Sequence, residues 1–353
     1  MEAISGIIDT SSFIQGKQVA DFETSFASYC NSKYCIGVGN GLDALKIALQ
    51  TLNIGPGDEV IVPAHTYIAT WLAVSELGAV PVPVDANPAT MNLDACLLEA
   101  CITSKTKAII PVHLYGLPCD MNAITKLAKA HNLPIVEDFA QAQGASFANQ
   151  PVGSFGLING TSFYPSKNLG AMGDAGAITT SDEKLYLKAS MIKNYGSKKR
   201  YMHEIQGVNS RLDTFQAAIL NIKLKQLSAH NQERKKLANR YQNLLGNHPK
   251  IKLQSIPEAC DSVYHLFVVR VKERDLLQQH LDQQGIGSLI HYPCPPHLQG
   301  AYQHLRFKKG DFPVAEQIAT EALSLPLYVG MGIQEVDFVS ETILSFMGTT
   351  KES

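Results

Sequence analysis

The sequence predicts an α/β fold, with a mostly parallel central sheet covered by helices on both faces and a smaller α+β domain after it. Short runs of β-branched and apolar residues alternate with segments of helical spacing along most of the chain. This alternation is typical of parallel sheets, whose strands are joined by helices. The chain has 353 residues, which exceeds the size at which a single core keeps growing. We therefore expect a large domain and a smaller one.

The strands of the large domain are predicted where an apolar run is bounded by turn residues. In chain order they are Tyr34–Val38, Gly57–Pro63, Val80–Val84, Lys107–Val112, Pro134–Glu137, Thr161–Tyr164 and Gly176–Thr180. The helices are predicted from apolar residues three and four positions apart, as in Leu42, Leu45 and Leu49. In chain order they are Asp21–Tyr29, Gly41–Leu52, Thr66–Leu77, Leu93–Cys101, Met121–His131, Asp182–Lys193 and Thr214–Leu245.

The long helix Thr214–Leu245 is expected to bridge the two domains, after a loop over residues 194–213. We assign residues 1–20 to a leader, residues 21–247 to the large domain and residues 248–353 to the small one. The small domain is predicted to be α+β because strands and helices are mixed in Tyr264–Val271, Arg274–Gln284, Ser288–Ile290 and two later helices.

Composition and charge exclude several classes of function. The formal net charge is −2 and no basic block is longer than Lys198–Arg200, so nucleic acid and anionic membranes are not expected partners. The most apolar stretch, Ile61–Val84, is interrupted by Glu76 and several prolines, so no membrane span is predicted. Residues 1–16 lack the basic start and long apolar core of a secretion signal. Seven irregularly spaced cysteines fit reduced thiols and a cytoplasmic location.

A glycine-rich segment, Thr161–Thr180, contains a single lysine that the sequence places on a shaped loop between two strands. Gly170, Gly173 and Gly176 follow Lys167 within ten positions, and glycine allows the close backbone approaches that such a loop needs. A partly desolvated lysine amine loses its charge readily and can form a Schiff base with a carbonyl. A surface hairpin with an ordinary solvated lysine is the alternative that this segment alone leaves open.

A second glycine-rich turn precedes the helix that begins near Gly41. The free amide groups and the positive dipole end of such a helix form a phosphate cradle, although a plain turn capped by Asn40 has the same sequence pattern. The segment Gly37–Leu45 matches neither the dinucleotide-binding glycine pattern nor the nucleotide-binding loop with its lysine. These mismatches disfavour a Rossmann oxidoreductase.

Polar and aromatic residues follow the ends of the predicted strands, where parallel sheets bind ligands. Tyr67 follows one strand, His113 and Tyr115 follow another, and Asp138 follows a third with Gln141 three residues later. A second strand-end acid with a histidine at ligand spacing is missing, which counts against a metal at Asp138. An acid, a loop lysine and a phosphate cradle together suit pyridoxal phosphate.

The proline-rich segment His291–Tyr302 lies in the small domain and has no helical periodicity. His291, Cys294 and His297 have the residue types of metal ligands, but no fourth ligand is evident, so metal is disfavoured. A rigid connection with buried aromatic residues is one interpretation. The other is a wall of the active site, with His291 and Tyr292 hydrogen-bonded to a polar substrate.

The chain resembles the sugar aminotransferases of the DegT/DnrJ/EryC1/StrS family, which are fold-type I pyridoxal phosphate enzymes acting on nucleotide-linked keto-sugars. The resemblance covers about Phe22 to Leu327 and rests on seven motifs that match in order: GLDALK, GDEVIVPAHTYIAT, PVHLYG, VEDFAQAQGA, SFYPSKNLGAMGDAG, NSRLDTFQAAIL and HYPCPPHLQGAY. The segments TYIATWLAV, SFYP and HYPCPPH are most similar to the group that aminates carbon 3 of dTDP-3-keto-6-deoxyhexoses.

The resemblance implies a role for each matching residue. It implies that Lys167 holds the cofactor covalently and carries protons, that Asp138 pairs with the ring nitrogen, and that Gln141 contacts the ring hydroxyl. The remaining implied roles are ring stacking by Tyr67, phosphate binding by the Gly41 and Leu42 amides, by Ser162 and by Asn209 of a second subunit, and sugar contacts by Tyr164, His291 and Tyr292, with His113 and Tyr115 as further neighbours. Leu42 departs from the Thr or Ser of many members, so only its backbone is available to phosphate.

The resemblance also implies a reaction and an assembly. Glutamate is the expected amino donor, and the product is a 3-amino-3,6-dideoxysugar for glycans such as lipopolysaccharide, O-antigen or S-layer polysaccharide. A homodimer with shared active sites is expected. The start at Met1 is about twenty residues short of typical members. Amination at carbon 4, a sugar dehydratase and a non-catalytic regulatory relative remain as alternatives, although some dehydratases of this fold replace the lysine with histidine.

Overall fold

The structure is a computed structural model that describes residues 2–349. Its strands are β1 (Tyr34–Val38), β2 (Glu59–Pro63), β3 (Val80–Val84), β4 (Thr106–Ile109), β5 (Ser146–Phe147), β6 (Gln150–Pro151), β7 (Asn159–Ser162), β8 (Gly176–Thr180), β9 (Ser197–Lys199), β10 (Met202–His203), β11 (Lys252–Leu253), β12 (Cys260–Asp261), β13 (Phe267–Arg270) and β14 (Ala322–Leu325).

The α-helices separate and flank these strands. They are α1 (Glu2–Thr10), α2 (Lys17–Tyr29), α3 (Gly41–Thr51), α4 (Ala69–Ser75), α5 (Met121–Ala130), α6 (Glu183–Ile192), α7 (Thr214–Leu224), α8 (Leu227–Leu245), α9 (Arg274–Gln283), α10 (Pro313–Glu321) and α11 (Ile333–Thr349). Short 3₁₀ turns occupy Ala95–Leu97, Glu99–Cys101, Leu114–Gly116, Pro296–Leu298 and Gly300–Leu305.

The central sheet has the order β3-β2-β4, then residues 135–138, then β7-β8-β1. β2 pairs in parallel with β3 and β4, and β8 pairs antiparallel with β7 and β1. Parallel bridges from Ile109 to Ile135, from Val112 to Asp138 and from Asp138 to Gly160 join the two halves. Since β8 alone runs against the other strands of this sheet, the predicted mostly parallel fold class is confirmed.

Helices cover both faces of the sheet, as β2 illustrates. Val60 and Val62 belong to the core beneath α3 and α4, whereas Ile61 belongs to the core beneath α5. Successive side chains of a strand point to opposite faces, so a strand buried on both faces has a continuous apolar run. This is why the GDEVIVP segment lacks the alternation of a half-exposed strand.

The C-terminal part has its own antiparallel sheet, β11-β13-β14, and its own core. Tyr241 of α8, Val269 of β13, Leu277 of α9 and Val336 of α11 are buried together there. A separate core is what an independent domain needs, and this one includes residues 237–245 of α8 as well as residues after 248. We predicted a division into residues 21–247 and 248–353. That division stays a prediction.

Several predicted elements differ from the structure. Residues 1–20 contain α1, whose Ile7 is buried, and the start of α2. Leu93–Cys101 forms two 3₁₀ turns instead of the predicted α-helix, and the Asp94 side chain caps the first of them by accepting from the Cys96 amide. The predicted helix Thr214–Leu245 is broken between Leu224 and Leu227. The predicted loop 194–213 contains the hairpin β9–β10.

The predicted strands Pro134–Glu137 and Ser288–Ile290 pair through isolated bridges only. In the first region, Ile135 and Asp138 bridge neighbouring strands, and in the second, Leu289 bridges Ser324. Across residues 2–349, no helix combines the length and the apolar character that crossing a bilayer requires.

Candidate active site

A cavity of about 530 Å³ lies at the carboxyl end of the central sheet and is the candidate active site. It brings together residues from loops and helix ends that lie far apart in the sequence. Ten of the eleven residues predicted for the site line it: Gly41, Leu42, Tyr67, Asp138, Gln141, Ser162, Tyr164, Lys167, His291 and Tyr292. Asn209 does not line it; this residue is exposed and bridges Asn194. The position of Asn209 fits a residue that serves a second subunit.

Lys167 is held on a tight turn after β7. Its backbone amide donates to the carbonyl of Tyr164 over 2.8 Å. A Cβ at Gly170 would lie 2.3 Å from the Pro165 carbonyl oxygen, so the turn requires glycine there. Burial lowers the pKa of the Lys167 amine to about 8, although the nearby Asp138 carboxylate acts in the opposite direction. The amine is therefore partly neutral near physiological pH, as a nucleophile must be.

Asp138 is the last residue of the short strand segment 135–138 at the centre of the sheet. Its Oδ2 accepts from the Thr70 hydroxyl over 2.9 Å and its Oδ1 from the Ala140 amide over 3.2 Å. Burial raises the pKa of this carboxyl, while the Thr70 and Ala140 hydrogen bonds and the Lys167 charge lower it. A buried acid that lacks a salt-bridge partner within residues 2–349 is suited to a cationic group in the cavity.

The amino end of α3 forms the other end of the cavity. Asn40 caps the helix, since its Oδ1 accepts from the Asp43 amide over 2.8 Å. A Cβ at Gly41 would lie 2.6 Å from the Ser162 Cβ, so glycine lets the helix end approach β7. The amides of Gly41 and Leu42 lie in the first turn, where a helix provides no acceptor for them. An anion fits this end of the cavity.

Two tyrosines and a glutamine form one wall. The Tyr67 and Tyr292 rings lie 5.3 Å apart at 39°, and Tyr67 is 55% exposed. The Gln141 Nε2 donates to the Tyr292 hydroxyl over 3.0 Å, and its Oε1 accepts from the Tyr115 amide over 2.7 Å. Gln141 thus fixes the position of Tyr292, while its contact with a ring hydroxyl stays a prediction.

Tyr115 ties the His291 segment to the large sheet. Its hydroxyl donates to the His291 carbonyl and lies 2.7 Å from the His65 Nε2. Since that hydroxyl hydrogen is used on the carbonyl, His65 must donate to Tyr115. Burial lowers the pKa of His65 to about 3, so its ring is neutral. Tyr115 was expected only as a neighbour of the sugar, but it acts in the structure as a buried tie.

His113 does not belong to the cavity, and its expected place near the sugar is wrong. The ring is completely buried, with its Nε2 3.1 Å from Glu137. Glu137 also accepts from the amides of Gly153, Phe155 and Gly156. The pair therefore secures the loop before β7. The prediction failed because the side chain of a strand-end histidine can face away from the sheet edge as well as toward it.

Sequence reasoning missed several residues that line the cavity. Thr70 is the partner of Asp138, and its position one helical turn after Thr66 was the available signal. Asp174 lies in the glycine-rich loop and is exposed at the cavity. His265 reaches the cavity from the segment before β13, far along the chain from the motifs that mark the site.

His297 and Cys294, two of the residues considered as metal ligands, make other contacts in the structure. The His297 Nε2 lies 3.0 Å from Glu316, and the Cys294 thiol contacts the Pro295 carbonyl. Within residues 2–349, no cluster of three or more His, Cys, Asp or Glu side chains is arranged to hold a metal ion.

The lining residues fit pyridoxal phosphate. The close approach of Gly41 to Ser162 brings the amino end of α3 next to the Ser162 hydroxyl, and an anion is suited to this end of the cavity. Asp138 faces the space beyond, where a protonated ring nitrogen needs an acid, and Lys167 supplies the amine that the aldehyde needs. These residues would hold the phosphate, the ring and the aldehyde respectively.

Two known proteins of similar sequence are named as sugar transaminases. The chain is 50% identical to the dTDP-3-amino-3,6-dideoxy-alpha-D-galactopyranose transaminase of Aneurinibacillus thermoaerophilus, over 97% of this chain and 93% of that one. It is 48% identical to the dTDP-3-amino-3,4,6-trideoxy-alpha-D-glucose transaminase of Streptomyces venezuelae, over 92% of this chain and 86% of that one.

A solved structure shares the fold. It is that of S. venezuelae DesV in complex with a ketimine intermediate, with a TM-score of 0.97 at 45% identity over 99% of this chain and 94% of that one. Pyridoxal phosphate is the cofactor, and fold-type I the architecture, of such aminotransferases. The model of the DegT/DnrJ/EryC1/StrS aminotransferase family matches residues 1–344. The chain therefore belongs to the DegT/DnrJ/EryC1/StrS aminotransferase family.

Proposed function

We propose that this chain transfers an amino group from glutamate to carbon 3 of a dTDP-linked 3-keto-6-deoxyhexose. The observation that carries the proposal is the meeting of Lys167 and Asp138 in one cavity, next to a wall formed by Tyr164, His291 and Tyr292. The names of relatives 48% and 50% identical to the chain support both the dTDP group and position 3.

The chemistry divides between the cofactor and the protein. Pyridoxal phosphate supplies, when bound, an aldehyde that takes up amino groups and a ring that accepts the electrons released at Cα. Asp138 would hold the proton on the ring nitrogen, and its Thr70 hydrogen bond keeps the carboxylate in place. Lys167 would anchor the group and, as a free amine, would take the Cα proton and return it. Its lowered pKa suits both tasks.

The sugar is proposed to bind against Tyr164, His291 and Tyr292. Tyr164 is 55% exposed at the cavity. The His291 Nδ1 lies 2.9 Å from the Ser324 hydroxyl, which orients the ring. Burial lowers the pKa of His291, and the Lys167 charge adds to this, so the ring is neutral at pH 7. A neutral wall of hydroxyl and imidazole groups suits a polyhydroxylated ring.

A homodimer with shared sites is part of the proposal. Asn209 is exposed outside the cavity of its own chain. Large apolar side chains are exposed at Phe13, Ile14, Met172, Tyr195, Tyr201 and Met202. A subunit interface that covers them would remove apolar surface from water.

We base the proposed cellular location and biosynthetic pathway on the chemistry of the cysteines and on the resemblance, and not on the geometry of the site. Seven free cysteines are compatible with a reducing compartment, so we propose the cytoplasm. We propose that the amino sugar enters a glycan such as lipopolysaccharide, O-antigen or S-layer polysaccharide, because the resemblance to deoxyamino-sugar enzymes supports a biosynthetic role.

Mass spectrometry of reaction products tests the proposed function. The purified chain, loaded with pyridoxal phosphate, is incubated with glutamate and dTDP-sugars that carry the ketone at carbon 3 or at carbon 4. We expect an amino sugar only from the 3-ketones, and none from the Lys167→Ala variant, which should keep the fold because the turn is held by backbone bonds.

An Asp138→Asn variant tests the ring-nitrogen partner. Its amide cannot hold the proton on the ring nitrogen, so the rate should fall by about 10²-fold or more, with little change in sugar binding. An amino sugar made only from the 4-ketones, loss of a hydroxyl instead of amine transfer, or near-normal turnover of Lys167→Ala would overturn the proposed function.

A further inference from the structure

His265 is a buried histidine of the cavity to which no role has been assigned so far. It is 7% exposed and belongs to the segment that leads into β13. It lines the same cavity as Lys167 and Asp138. The residue therefore reaches the reacting region from the C-terminal part of the chain.

A chain of three side chains fixes which ring nitrogen of His265 carries the hydrogen. The Asn231 Nδ2 donates to the Gln143 carbonyl over 2.9 Å. The Asn168 Nδ2 donates to the Val263 carbonyl over 3.1 Å and to the Asn231 Oδ1 over 2.9 Å. Because backbone carbonyls only accept, both amide orientations are determined.

The remaining Asn168 oxygen faces His265. Its Oδ1 lies 3.1 Å from the His265 Nδ1. An amide oxygen only accepts, so the Nδ1 of His265 must be the protonated nitrogen and its Nε2 carries a lone pair.

The ring stays in this neutral form at working pH. Burial lowers the pKa of His265 well below its usual range, and the charges of Lys167, Arg234 and His291 add to the effect. The ring is thus a hydrogen-bond acceptor at Nε2 throughout the neutral range.

The Nε2 lone pair has no hydrogen-bond partner among residues 2–349, and the atom is not sealed off from the cavity. A lone pair repels the carboxylates of an amino-acid donor and the phosphates of a nucleotide. Lys167 makes no hydrogen bond to it in the cofactor-free chain. Among the groups of a keto-sugar ring, the hydroxyls are the ones that can donate a hydrogen bond to this lone pair.

We propose that the His265 Nε2 accepts a hydrogen bond from a sugar hydroxyl next to the reacting ketone, and so helps to select the sugar. The inference rests on the proposed function, which supplies the sugar. A site that pairs with a substrate hydroxyl discriminates strongly against an analogue that lacks it, because the buried acceptor is then left without a partner.

Two variants separate this role from a structural one. In His265→Asn, the amide nitrogen takes the place of the Nδ1 donor toward Asn168, but nothing replaces the Nε2 acceptor. In His265→Gln, the longer side chain can bring its oxygen to the place of Nε2. Circular dichroism and thermal melting check that both variants fold.

The two halves of the reaction are then measured separately. With glutamate alone, the change in cofactor absorbance should proceed in His265→Asn within about twofold of the wild-type rate, since glutamate offers no hydroxyl. With the 3-keto-sugar, kcat/KM should fall by about 10- to 100-fold, the loss expected for one hydrogen bond in a buried site. His265→Gln should recover part of this loss.

A binding measurement completes the test. Calorimetry with the dTDP-linked amino-sugar product should show weaker binding to His265→Asn by a similar factor. Removal of the adjacent hydroxyl from the substrate should harm the wild-type chain and leave His265→Asn unchanged. Equal losses in both halves, or no loss in either, would overturn the role of His265. Failure of the wild-type chain to aminate any dTDP-keto-sugar would instead overturn the proposed function.

Discussion

Lys167 and Asp138 influence each other through their charges. Burial withholds water from both, which lowers the pKa of the amine and raises that of the acid. Their mutual attraction opposes both shifts. The cavity thus provides an amine that gives up its proton easily and an acid that gains from a cationic neighbour, which is the combination that transamination requires.

The titration of Lys167 gives a prediction for the cofactor-free chain. Competitive acetylation with acetic anhydride, read by mass spectrometry, should show the Lys167 amine half-reactive near pH 8. Asp138 stabilises the charged ammonium form, so Asp138→Asn should lower the pKa and move the curve to lower pH. Asp174→Asn, which removes an exposed carboxylate of the same cavity, is the control. A curve that stays in place or moves to higher pH in Asp138→Asn would contradict this coupling.

The sequence predicts Lys167 and Asp138 because each is marked by its own neighbours. Lys167 precedes a dense run of glycines, and Asp138 ends an apolar run. His265 has no such local mark. Its partner Asn168 lies 97 positions away along the chain, so only the folded structure shows which nitrogen faces the cavity. His113 follows the end of a predicted strand, as Tyr67 does, so the sequence does not distinguish them. The burial of His113 against Glu137 depends on the loop packed above it.

Among the secondary-structure elements, α3 is the one whose position the site depends on most. The helix end approaches β7 closely only because residue 41 is glycine. A shift of this end would move the amides of Gly41 and Leu42 away from the Ser162 hydroxyl. The cradle is therefore a product of packing between a helix and a strand.

Replacing Gly41 tests the cradle. In Gly41→Ala the new Cβ would lie 2.6 Å from the Ser162 Cβ, so the helix end must move. We expect pyridoxal phosphate to bind at least about tenfold more weakly, as for loss of one charge-assisted hydrogen bond, measured by absorbance titration. Gly300→Ala is the control, because its Cβ would meet nothing within 4 Å. Equal affinity in the two variants would exclude a phosphate cradle at Gly41.

The ends of a helix or strand are predictable where residues next to it in the sequence terminate it. The strands Tyr34–Val38, Val80–Val84 and Gly176–Thr180 are confirmed to the residue, since each apolar run is bounded by polar or turn residues. Leu93–Cys101 is wrong as an α-helix, since the segment forms two 3₁₀ turns, the first capped by the Asp94 carboxylate, which accepts from the Cys96 amide. Pro134–Glu137 depends on bridges to strands distant in sequence, which no local pattern contains.

At the scale of the whole molecule, the site combines residues from distant parts of the chain. Lys167 and Asp138 come from the part with the parallel sheet, whereas His265, His291 and Tyr292 come from the C-terminal part, and Tyr292 packs against the core of the parallel sheet. Tyr115 connects the two through the His291 carbonyl. Binding of the sugar between them is therefore sensitive to how the two parts are held together.

The proposed dimer with shared sites predicts how two inactive variants behave when they form mixed dimers. If the Asn209 side chain serves the cavity of a partner subunit, each site contains Lys167 from one chain and Asn209 from the other. Lys167→Ala and Asn209→Ala dimers should each be impaired. In a mixed dimer, one site carries both substitutions and the other carries neither.

Mixing the two variants therefore tests the assembly. After mild unfolding and refolding of equal amounts, half of the dimers are mixed and half of their sites are intact, so activity should return to about a quarter of the wild-type value. Refolding each variant alone is the control. If Asn209 instead served its own chain, every site of a mixed dimer would carry one substitution and activity would not rise above the two parents. A molecular mass of one chain in light scattering would rule out a site shared between subunits. Asn209 would then have no part in the site, because it is exposed and does not line the cavity of its own chain.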